Sequence, residues 1–266
     1  MKTALIQISS SDDPAANLDM VLGMIVQAAA AGAEFILTPE VTNCISTNRA
    51  HQLDVLQPQD QDITLAGLRA AAQAHGVWLL IGSLALKAET ADVPFVNRSF
   101  LVTPDGGIAA QYDKIHMFDV NLPNGENYKE SDKFKAGKEI VLSKLPWANL
   151  GHSICYDLRF PNHYRQLMKK GADLLTVPSA FTKNTGERHW HILLRSRAIE
   201  NFCYVLAPAQ TGKHFNGRET YGHSLIISPD GKILAEKENG IGFIVSEIDI
   251  EKVKKIRSEI PSTSLD

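Results

Sequence analysis

The amino-acid sequence predicts an α/β protein with mixed sheets. Strand-like and helix-like apolar segments alternate along the chain, which is typical of the α/β class. Two strand–turn–strand units, each with the turn letters PDG, interrupt this alternation, and such hairpins join antiparallel strands. The chain of 266 residues is long enough for one large core, and no linker-like change of composition divides it. We therefore expect a single domain over residues 1–266.

Glycine and proline mark several element ends in the first half of the chain. Gly32 and Gly76 follow helical patterns, where glycine is the favoured residue just past a helix C-terminus. Pro39 stops the second strand-like run. We predict strands at 3–9, 34–40 and 77–86, two strands within 96–114, and helices at 17–32 and 63–76.

The second half of the chain repeats the alternation. We predict strands at 148–155, 172–181 and 203–210, three strands within 221–250, helices at 162–171 and 186–202, and a short helix at the start of the tail 251–266. The hairpin "LVTPDGGIAAQYD" of the first half resembles "LIISPDGKILAEK" of the second half. Two layers of similar build would account for this likeness.

Composition excludes several functional classes. A net charge of −3 offers no basic surface for nucleic acid, and the apolar runs are far shorter than the roughly 18 residues of a membrane span. The cysteines at 44, 155 and 203 lack CxxC spacing, so we expect reduced thiols. The N-terminus lacks the pattern of a signal peptide. These observations predict a cytoplasmic protein with no nucleic-acid or membrane partner.

Cys155 lies in "LGHSICYDLRFP", where an apolar run stops and a charged, aromatic segment begins. Catalytic groups gather at the C-terminal ends of strands in α/β proteins, which favours a nucleophile here. Free cysteine is also one of the most buried residue types, which favours a core residue. The location alone leaves both interpretations open. Cys203 lies inside the apolar run "FCYVLA" and is predicted to be a core residue. Cys44 follows a predicted strand end, and this position is the only indication that it could lie near a site.

Glu40 and Lys114 are the other candidates at predicted strand ends. Glu40 follows "FILTP". An apolar pocket would raise the pKa of its carboxyl group, which suits a general base that works near neutral pH. An exposed acid at a loop start is the alternative. Lys114 ends "IAAQYDK" and is either a solvated charge or a cation that lowers a thiol pKa or holds an oxyanion. One sheet edge could gather the three side chains.

Other chemistries fit the sequence less well. His189 and His191 are two residues apart on a predicted helix and face different sides, so they make a poor metal pair. The segment "GHSIC" lacks the GxSxG pattern of serine hydrolases. We predict no metal site. A Cys–His protease remains an alternative. Its candidate bases are no better placed in the sequence than Glu40; they are His116, His152 and His223.

Three segments together resemble the catalytic motifs of the nitrilase superfamily of carbon–nitrogen hydrolases. They are "ILTPE" around Glu40, "YDKIHMFD" around Lys114 and "GHSICYDLRFP" around Cys155, in that order. The resemblance covers nearly the whole chain. It implies a nitrilase-like four-layer α-β-β-α sandwich that pairs through its outer helices into a homodimer. It also implies that Glu130, in "YKES", is a second active-site glutamate.

The resemblance implies cofactor-free hydrolysis of a small amide through a cysteine thioester, with release of ammonia. In that chemistry Cys155 attacks, Glu40 shuttles protons, and Lys114 holds the oxyanion together with the backbone N–H of Tyr156. Glu130 would orient Lys114 or the substrate. The candidate substrate-binding residues are Arg159, as a carboxylate anchor or else part of an internal salt bridge, with Phe181 and Thr182.

The stretch from "AFTKNTGERHW" to "GRETYGHS" is most similar to the branch of deaminated glutathione amidases and omega-amidases. It implies a small carboxylated amide as the substrate, with deaminated glutathione favoured over α-ketoglutaramate. An N-carbamoyl amino acid hydrolase, a nitrilase and a catalytically silent binding protein on the same fold are the alternatives. The segment "NLPNGENYK" replaces the glycine-rich turn usual before the second glutamate.

Overall fold

Two mixed β-sheets lie at the centre of the computed structural model, which describes residues 1–88, 93–121, 125 and 127–264. The strands in chain order are β1 (Lys2–Gln7), β2 (Phe35–Leu37), β3 (Trp78–Lys87), β4 (Phe95–Val102), β5 (Ile108–Asp113), β6 (Asp119–Asn121), β7 (Asn127–Lys129), β8 (Phe134–Lys135), β9 (Leu142–Lys144), β10 (Asn149–Gly151), β11 (Leu174–Thr176), β12 (Tyr204–Ala207), β13 (Thr211–Lys213), β14 (Glu219–Tyr221), β15 (Ser224–Ile227), β16 (Ile233–Lys237) and β17 (Gly242–Glu247).

The helices lie outside the two sheets or connect their strands. They are α1 (Pro14–Ala30), α2 (Arg49–Val55), α3 (Ile63–His75), α4 (Pro161–Lys169), α5 (Lys183–Asn201) and α6 (Glu251–Glu259), with short 3₁₀ segments at Glu130–Asp132, Cys155–Arg159 and Pro261–Ser264. Within the described part of the chain, no helix is both long enough and apolar enough to span a bilayer.

Both sheets combine parallel and antiparallel pairs, as predicted. The first sheet has the order β17-β1-β2-β3-β4-β5, with β8 beside β4, and β1, β2 and β3 run parallel. The second sheet has the order β16-β15-β12-β11-β10-β9, and β10, β11 and β12 run parallel. Each sheet contains one of the two PDG hairpins, β4–β5 in the first and β15–β16 in the second. The two layers therefore share the predicted similarity of build.

Alternating side chains divide the apolar core into three layers. Successive residues of a strand point to opposite faces of its sheet. Ala4 and Ile6 of β1 pack under α1 and α3, whereas Leu5 packs between the two sheets. In β12, Val205 packs under α4 and α5, and Leu206 packs between the sheets. The order of layers is helix, sheet, sheet, helix, which confirms the predicted four-layer α-β-β-α sandwich.

Several predicted ends are confirmed, and others shift for local reasons. The helix α3 ends as predicted, because Gly76 adopts a left-handed φ of 62° and caps it. The strand predicted at 148–155 is wrong beyond Gly151, where β10 ends and the chain turns toward Cys155. The helix predicted from 186 begins at Lys183. The helix α2 has no counterpart in the predictions.

Candidate functional site

Glu40 lies in a tight loop that follows β2. The backbone N–H of Thr38 donates to Leu80 (3.0 Å), and that of Val41 donates to the Ser83 hydroxyl (2.8 Å), which ties the loop to β3. Gly82 makes this approach possible, because a Cβ there would lie 2.0 Å from the Thr38 carbonyl oxygen. A side chain at position 82 would therefore displace the loop that carries the glutamate.

Cys155 begins a 3₁₀ segment rather than ending a strand. Its φ of 48° lies in the left-handed region, which costs a residue other than glycine about 1–3 kcal/mol. Its own N–H donates to Pro178 (3.0 Å). None of the hydrogen bonds found among the described residues uses the backbone N–H of Tyr156 as donor, so this group beside the thiol stays available.

Asp157 fixes the turn that presents Cys155. Its carboxylate is fully buried and accepts hydrogen bonds from the Ile154 N–H (2.8 Å), the Tyr112 hydroxyl (2.7 Å) and the His116 N–H (3.0 Å). Burial alone would raise the pKa of Asp157, but the hydrogen bonds outweigh burial and lower it. The charged form therefore holds the strained turn in place.

Lys114 brings the two glutamates together. It follows β5, and its ammonium group donates to Glu40 Oε1 (2.9 Å) and to Glu130 Oε2 (2.8 Å). Its side chain is only 2% exposed, so both ion pairs are poorly screened by water. Glu130 also accepts from the Phe118 N–H (2.7 Å), which orients its carboxylate.

The Glu40 carboxylate uses both oxygens. Oε1 accepts from Lys114 and from the Asn97 amide (3.0 Å), and Oε2 accepts from the Ala180 N–H (2.8 Å). The Cys155 thiol interacts electrostatically with the same carboxylate, and both groups line one cavity. The structure thus places the sulfur, the acid and the amine of the three predicted residues side by side.

The electrostatics differ from the sequence-based expectations. Burial would raise the pKa of Glu40, as expected for an apolar pocket, but the Lys114 charge and the hydrogen bonds lower it instead. Burial, together with Glu40, raises the pKa of the Cys155 thiol, and these effects exceed the opposing effect of Lys114. Lys114 has its own pKa raised, because Glu130 and Glu40 outweigh burial. Lys114 lowers the pKa of the thiol, as expected from the sequence, but burial and Glu40 outweigh its effect.

A cavity of about 380 Å³ opens onto Cys155, and we call it the Cys155 cavity. Phe181 and Thr182, predicted to bind substrate, contribute to its lining, as does the predicted supporting residue Tyr156. Cys44 also lines it, but burial raises the pKa of that thiol to about 12, with Asp12 and Asp13 acting in the same direction. Residues 122–124 and 126 of "NLPNGENYK" lie outside the described residues.

Arg159 lies beside the Cys155 cavity rather than in its lining. Its guanidinium carbon lies 5.2 Å from the centroid of the Phe181 ring, and Nη1 lies 3.4 Å from Nδ1 of His189. Among the described residues, no carboxylate lies within ion-pair distance of this guanidinium, so the internal salt bridge considered from sequence does not form there.

Arg218 is a lining residue that the sequence analysis missed. Its Nη2 donates to the Ala180 carbonyl, and its guanidinium carbon lies 5.4 Å from the centroid of the Tyr128 ring. Its Nε and the side-chain Nδ2 of Asn216 are buried without a hydrogen-bond partner among the described residues. Unsatisfied buried donors of this kind favour a ligand with acceptor oxygens. Arg218 stands in "GRETYGHS", a segment that indicated the branch of the family but did not identify this arginine as a binding residue.

Comparison with known proteins agrees with this geometry. The family model described as "Carbon-nitrogen hydrolase" matches residues 2–258. The deaminated glutathione amidase of Synechocystis is 39% identical over 263 residues, which cover 97% of this chain and 95% of the relative. The crystal structure of Saccharomyces cerevisiae Nit3, described as a member of branch 10 of the nitrilase superfamily, has a TM-score of 0.87 at 29% identity, covering 98% of this chain and 94% of that one.

A fusion protein shares the fold as one part of a longer chain. The crystal structure of the Caenorhabditis elegans NitFhit protein has a TM-score of 0.92 at 38% identity and covers 99% of this chain. The present chain spans only 64% of that longer protein. The likeness to NitFhit therefore concerns one portion of it and says nothing of the remainder.

Proposed function

The chain belongs to the carbon–nitrogen hydrolase family of the nitrilase superfamily and is a hydrolytic amidase, and we propose that it cleaves deaminated glutathione through a thioester on Cys155. The observation that carries the proposal is that Glu40, paired with Lys114, lines the same cavity as Cys155 and interacts electrostatically with its thiol. The name of the Synechocystis relative supports the substrate. We take residues 1–266 as one carbon–nitrogen hydrolase domain.

The first chemical step follows from the charges around the thiol. The carboxylates of Glu40 and Glu130 and the Lys114 ammonium together carry a net charge of −1. A Cys155 thiolate would make the net charge of this buried site −2. The resting form is therefore the neutral thiol. Glu40 accepts the proton of Cys155 as the sulfur–carbon bond forms, and then transfers it to the leaving nitrogen.

The developing oxyanion is held by two donors. Lys114 supplies the ammonium N–H groups, and Tyr156 supplies the backbone N–H that no described partner uses. Loss of one such donor typically costs about 10²–10³-fold in rate. Glu130 holds Lys114 in place for this role. Water then attacks the thioester with Glu40 again as the base, so nucleophile, base and oxyanion donors all come from the chain without a cofactor.

The charges at the cavity suit a substrate with two carboxylates. Deaminated glutathione has a 2-oxo acid at one end and a glycine carboxylate at the other, whereas α-ketoglutaramate has only the 2-oxo acid. We assign Arg218, in the cavity lining, and Arg159, beside the cavity, as the two carboxylate anchors, because a guanidinium can bind a carboxylate bidentately. Phe181 and Thr182 line the cavity and are assigned to contact the bound substrate.

The products distinguish the candidate substrates. Hydrolysis of deaminated glutathione releases the amine of cysteinylglycine, which corrects the expected release of ammonia for this substrate, whereas hydrolysis of α-ketoglutaramate releases ammonia. We would measure both products with each substrate, alongside N-carbamoyl amino acids and nitriles. The expected result is a kcat/KM for deaminated glutathione that is at least about 10-fold above the others, as one additional carboxylate contact allows.

Matched serine variants control this experiment. Cys155→Ser should abolish turnover, whereas Cys44→Ser, which also changes a thiol of the cavity, should retain it. A higher kcat/KM for α-ketoglutaramate would identify an omega-amidase instead. The absence of turnover with every amide, carbamoyl compound and nitrile would favour a binding protein on the same fold and defeat the proposal.

We also propose a cytoplasmic homodimer. All three cysteines are free and buried, which is consistent with a reducing compartment. The outer helix α5 exposes Ile192 (68%) and Ile199 (45%). These residues are seven apart and share one helix face, so a second copy of the chain would remove adjoining apolar surface from water.

A further inference from the structure

We propose that His191, His223 and Glu236 form a binding site for a divalent transition-metal ion of the Zn²⁺ type. None of the three residues lines the Cys155 cavity. Nε2 of His191 lies 2.8 Å from Glu236 Oε1, and Nδ1 of His223 lies 2.7 Å from the same oxygen. The three ligand atoms all lie within 4.8 Å of one another. None of these residues has a role in the amidase mechanism.

The ligand set matches the chemistry of zinc. Two imidazoles and one carboxylate are a common three-residue set for Zn²⁺, which takes a fourth ligand such as water. The side chains are 30%, 17% and 25% exposed for His191, His223 and Glu236, so the ion can enter and keep a water-facing position. Each neutral imidazole would bind the metal through the nitrogen that faces Glu236, and its one ring proton would lie on the other nitrogen, so no proton has to leave the cluster.

Three separate elements build the cluster. His191 lies on α5, His223 lies in the turn before β15, and Glu236 lies on β16. The sequence pairs His191 only with His189, and in the structure the His189 ring lies against Arg159 instead. The prediction of no metal site rested on that adjacent pair, and it could not include residues that the fold brings together from three places.

The backbone at His223 is held in an unusual conformation. Its φ of 55° lies in the left-handed region, which is uncommon for a residue other than glycine. The His223 carbonyl accepts from the Trp190 indole (2.8 Å), and its N–H donates to the Glu238 carbonyl (3.0 Å). The Tyr221 ring stacks on the imidazole with centroids 4.1 Å apart. These contacts fix the imidazole toward Glu236, and such local strain is typical of functional positions.

A bound ion would join the outer helix to the second sheet. It would link α5 to the strand β16 at the sheet edge, and α5 begins directly after Thr182 of the Cys155 cavity. Because the ion binds only the folded chain, it should raise the thermal midpoint by about 5 °C at 100 times its dissociation constant. The site therefore predicts metal-dependent stability without a metal-dependent reaction.

Cobalt titration of the Cys155→Ser protein, prepared without an affinity tag, tests the proposal. This background removes the reactive thiol as a competing ligand. We expect one Co²⁺ per chain with visible absorption of a tetrahedral or five-coordinate site, displaced by Zn²⁺, and a raised thermal midpoint. His191→Ala and Glu236→Gln should each weaken binding at least about 100-fold, whereas His75→Ala, at the exposed end of α3, should leave it unchanged.

Each other result overturns the proposal. Absence of binding to the unsubstituted cluster would show that it is only a hydrogen-bonded group. Binding that His191→Ala and Glu236→Gln leave intact would place the ion elsewhere. Circular dichroism and the metal-free thermal midpoint identify a variant that fails to fold, and the conservative Glu236→Gln change then provides the decisive comparison, because it keeps the shape of the side chain.

Discussion

At the scale of single residues, the charge balance around Cys155 determines how the thiol is activated. Lys114 is shared between Glu40 and Glu130, so its ammonium cannot fully stabilise a thiolate. The raised pKa of Cys155 and the lowered pKa of Glu40 together leave a neutral thiol beside a charged base. Proton transfer and nucleophilic attack are therefore coupled, which distinguishes this site from one with a preformed thiolate.

The pH dependence of kcat/KM should reflect this arrangement. Glu40 must be charged to act as base, and its pKa lies below its ordinary 4.5. Activity should therefore stay level as the pH falls from neutrality and decline only below 4.5, when Glu40 is protonated. We would measure initial rates across this range, with circular dichroism to separate unfolding from inhibition. A decline centred above pH 6 would contradict the lowered pKa.

The Glu130→Gln substitution tests the charge balance directly. It removes one negative charge and leaves Lys114 paired with Glu40 alone, so the Cys155 thiolate becomes less unfavourable. We expect alkylation of Cys155 by iodoacetamide at pH 8 to accelerate about 3–10-fold, because a lower thiol pKa increases the thiolate fraction. Peptide mapping separates Cys155 from Cys44 and Cys203. An unchanged or slower alkylation of Cys155 would show that Glu130 does not influence the thiol.

Arg218 should determine how well a second carboxylate is bound. The Arg218→Met change keeps much of the side-chain volume and removes the guanidinium. We expect KM for deaminated glutathione to rise about 10–100-fold, as lost charge-assisted hydrogen bonds predict, with a much smaller change for the monocarboxylate α-ketoglutaramate. Arg188→Met, on the exposed side of α5, serves as the control. Equal KM increases for both substrates would show that Arg218 does not bind the second carboxylate.

At the scale of elements, local sequence rules predicted most of the framework but not the loops that carry chemistry. Gly76 identified a helix end, and the PDG letters identified both hairpins, because backbone conformation there depends on adjacent residues. The left-handed conformation of Cys155 gave no such signal, since the residue is not glycine and tertiary contacts impose it. Asn97, which contacts Glu40, is simply a buried polar residue within an apolar strand.

The close contact between Gly82 and the loop of Glu40 leads to a prediction for that element. Gly82→Ala would place a Cβ 2.0 Å from Thr38 O and 2.5 Å from Pro39 O, both backbone atoms that cannot move alone. We expect a loss of about 1–3 kcal/mol in the free energy of unfolding, which is typical of overpacking, and a fall in kcat of at least about 100-fold as Glu40 shifts.

Gly23→Ala is the matched control for this substitution. Gly23 lies within α1, and a Cβ there meets no atom within 4 Å. This control should raise the free energy of unfolding by about 0.5–1 kcal/mol, because alanine favours the helix, and leave activity unchanged. Denaturant unfolding and steady-state kinetics measure both variants. Wild-type activity in Gly82→Ala would show that the loop does not depend on this contact.

At the scale of the whole molecule, the site exists only where the two sheets stack. Glu40 and Lys114 follow strands of the first sheet, and Cys155 and Ala180 follow strands of the second. The hydrogen bond from Ala180 to Glu40 and that from the Gln210 amide to the Glu40 carbonyl (3.0 Å) cross between them. The resemblance of the motifs to a known family was enough to identify the catalytic residues. The distances between them and the charges around them could not be predicted from sequence, because they depend on how the two sheets pack.

The proposed dimer gives the prediction that belongs to the assembled protein. Ile192 and Ile199 lie on one face of α5, and a charge at the centre of an apolar interface is strongly unfavourable because it is buried without a partner. Ile192→Glu should therefore shift the chain from dimer to monomer at micromolar concentration. Ile241→Glu, at a residue 50% exposed in the turn between β16 and β17, should leave the mass unchanged. Size-exclusion chromatography with light scattering measures both variants, and a wild-type monomer or a dimeric Ile192→Glu would rule out this face of α5 as the interface.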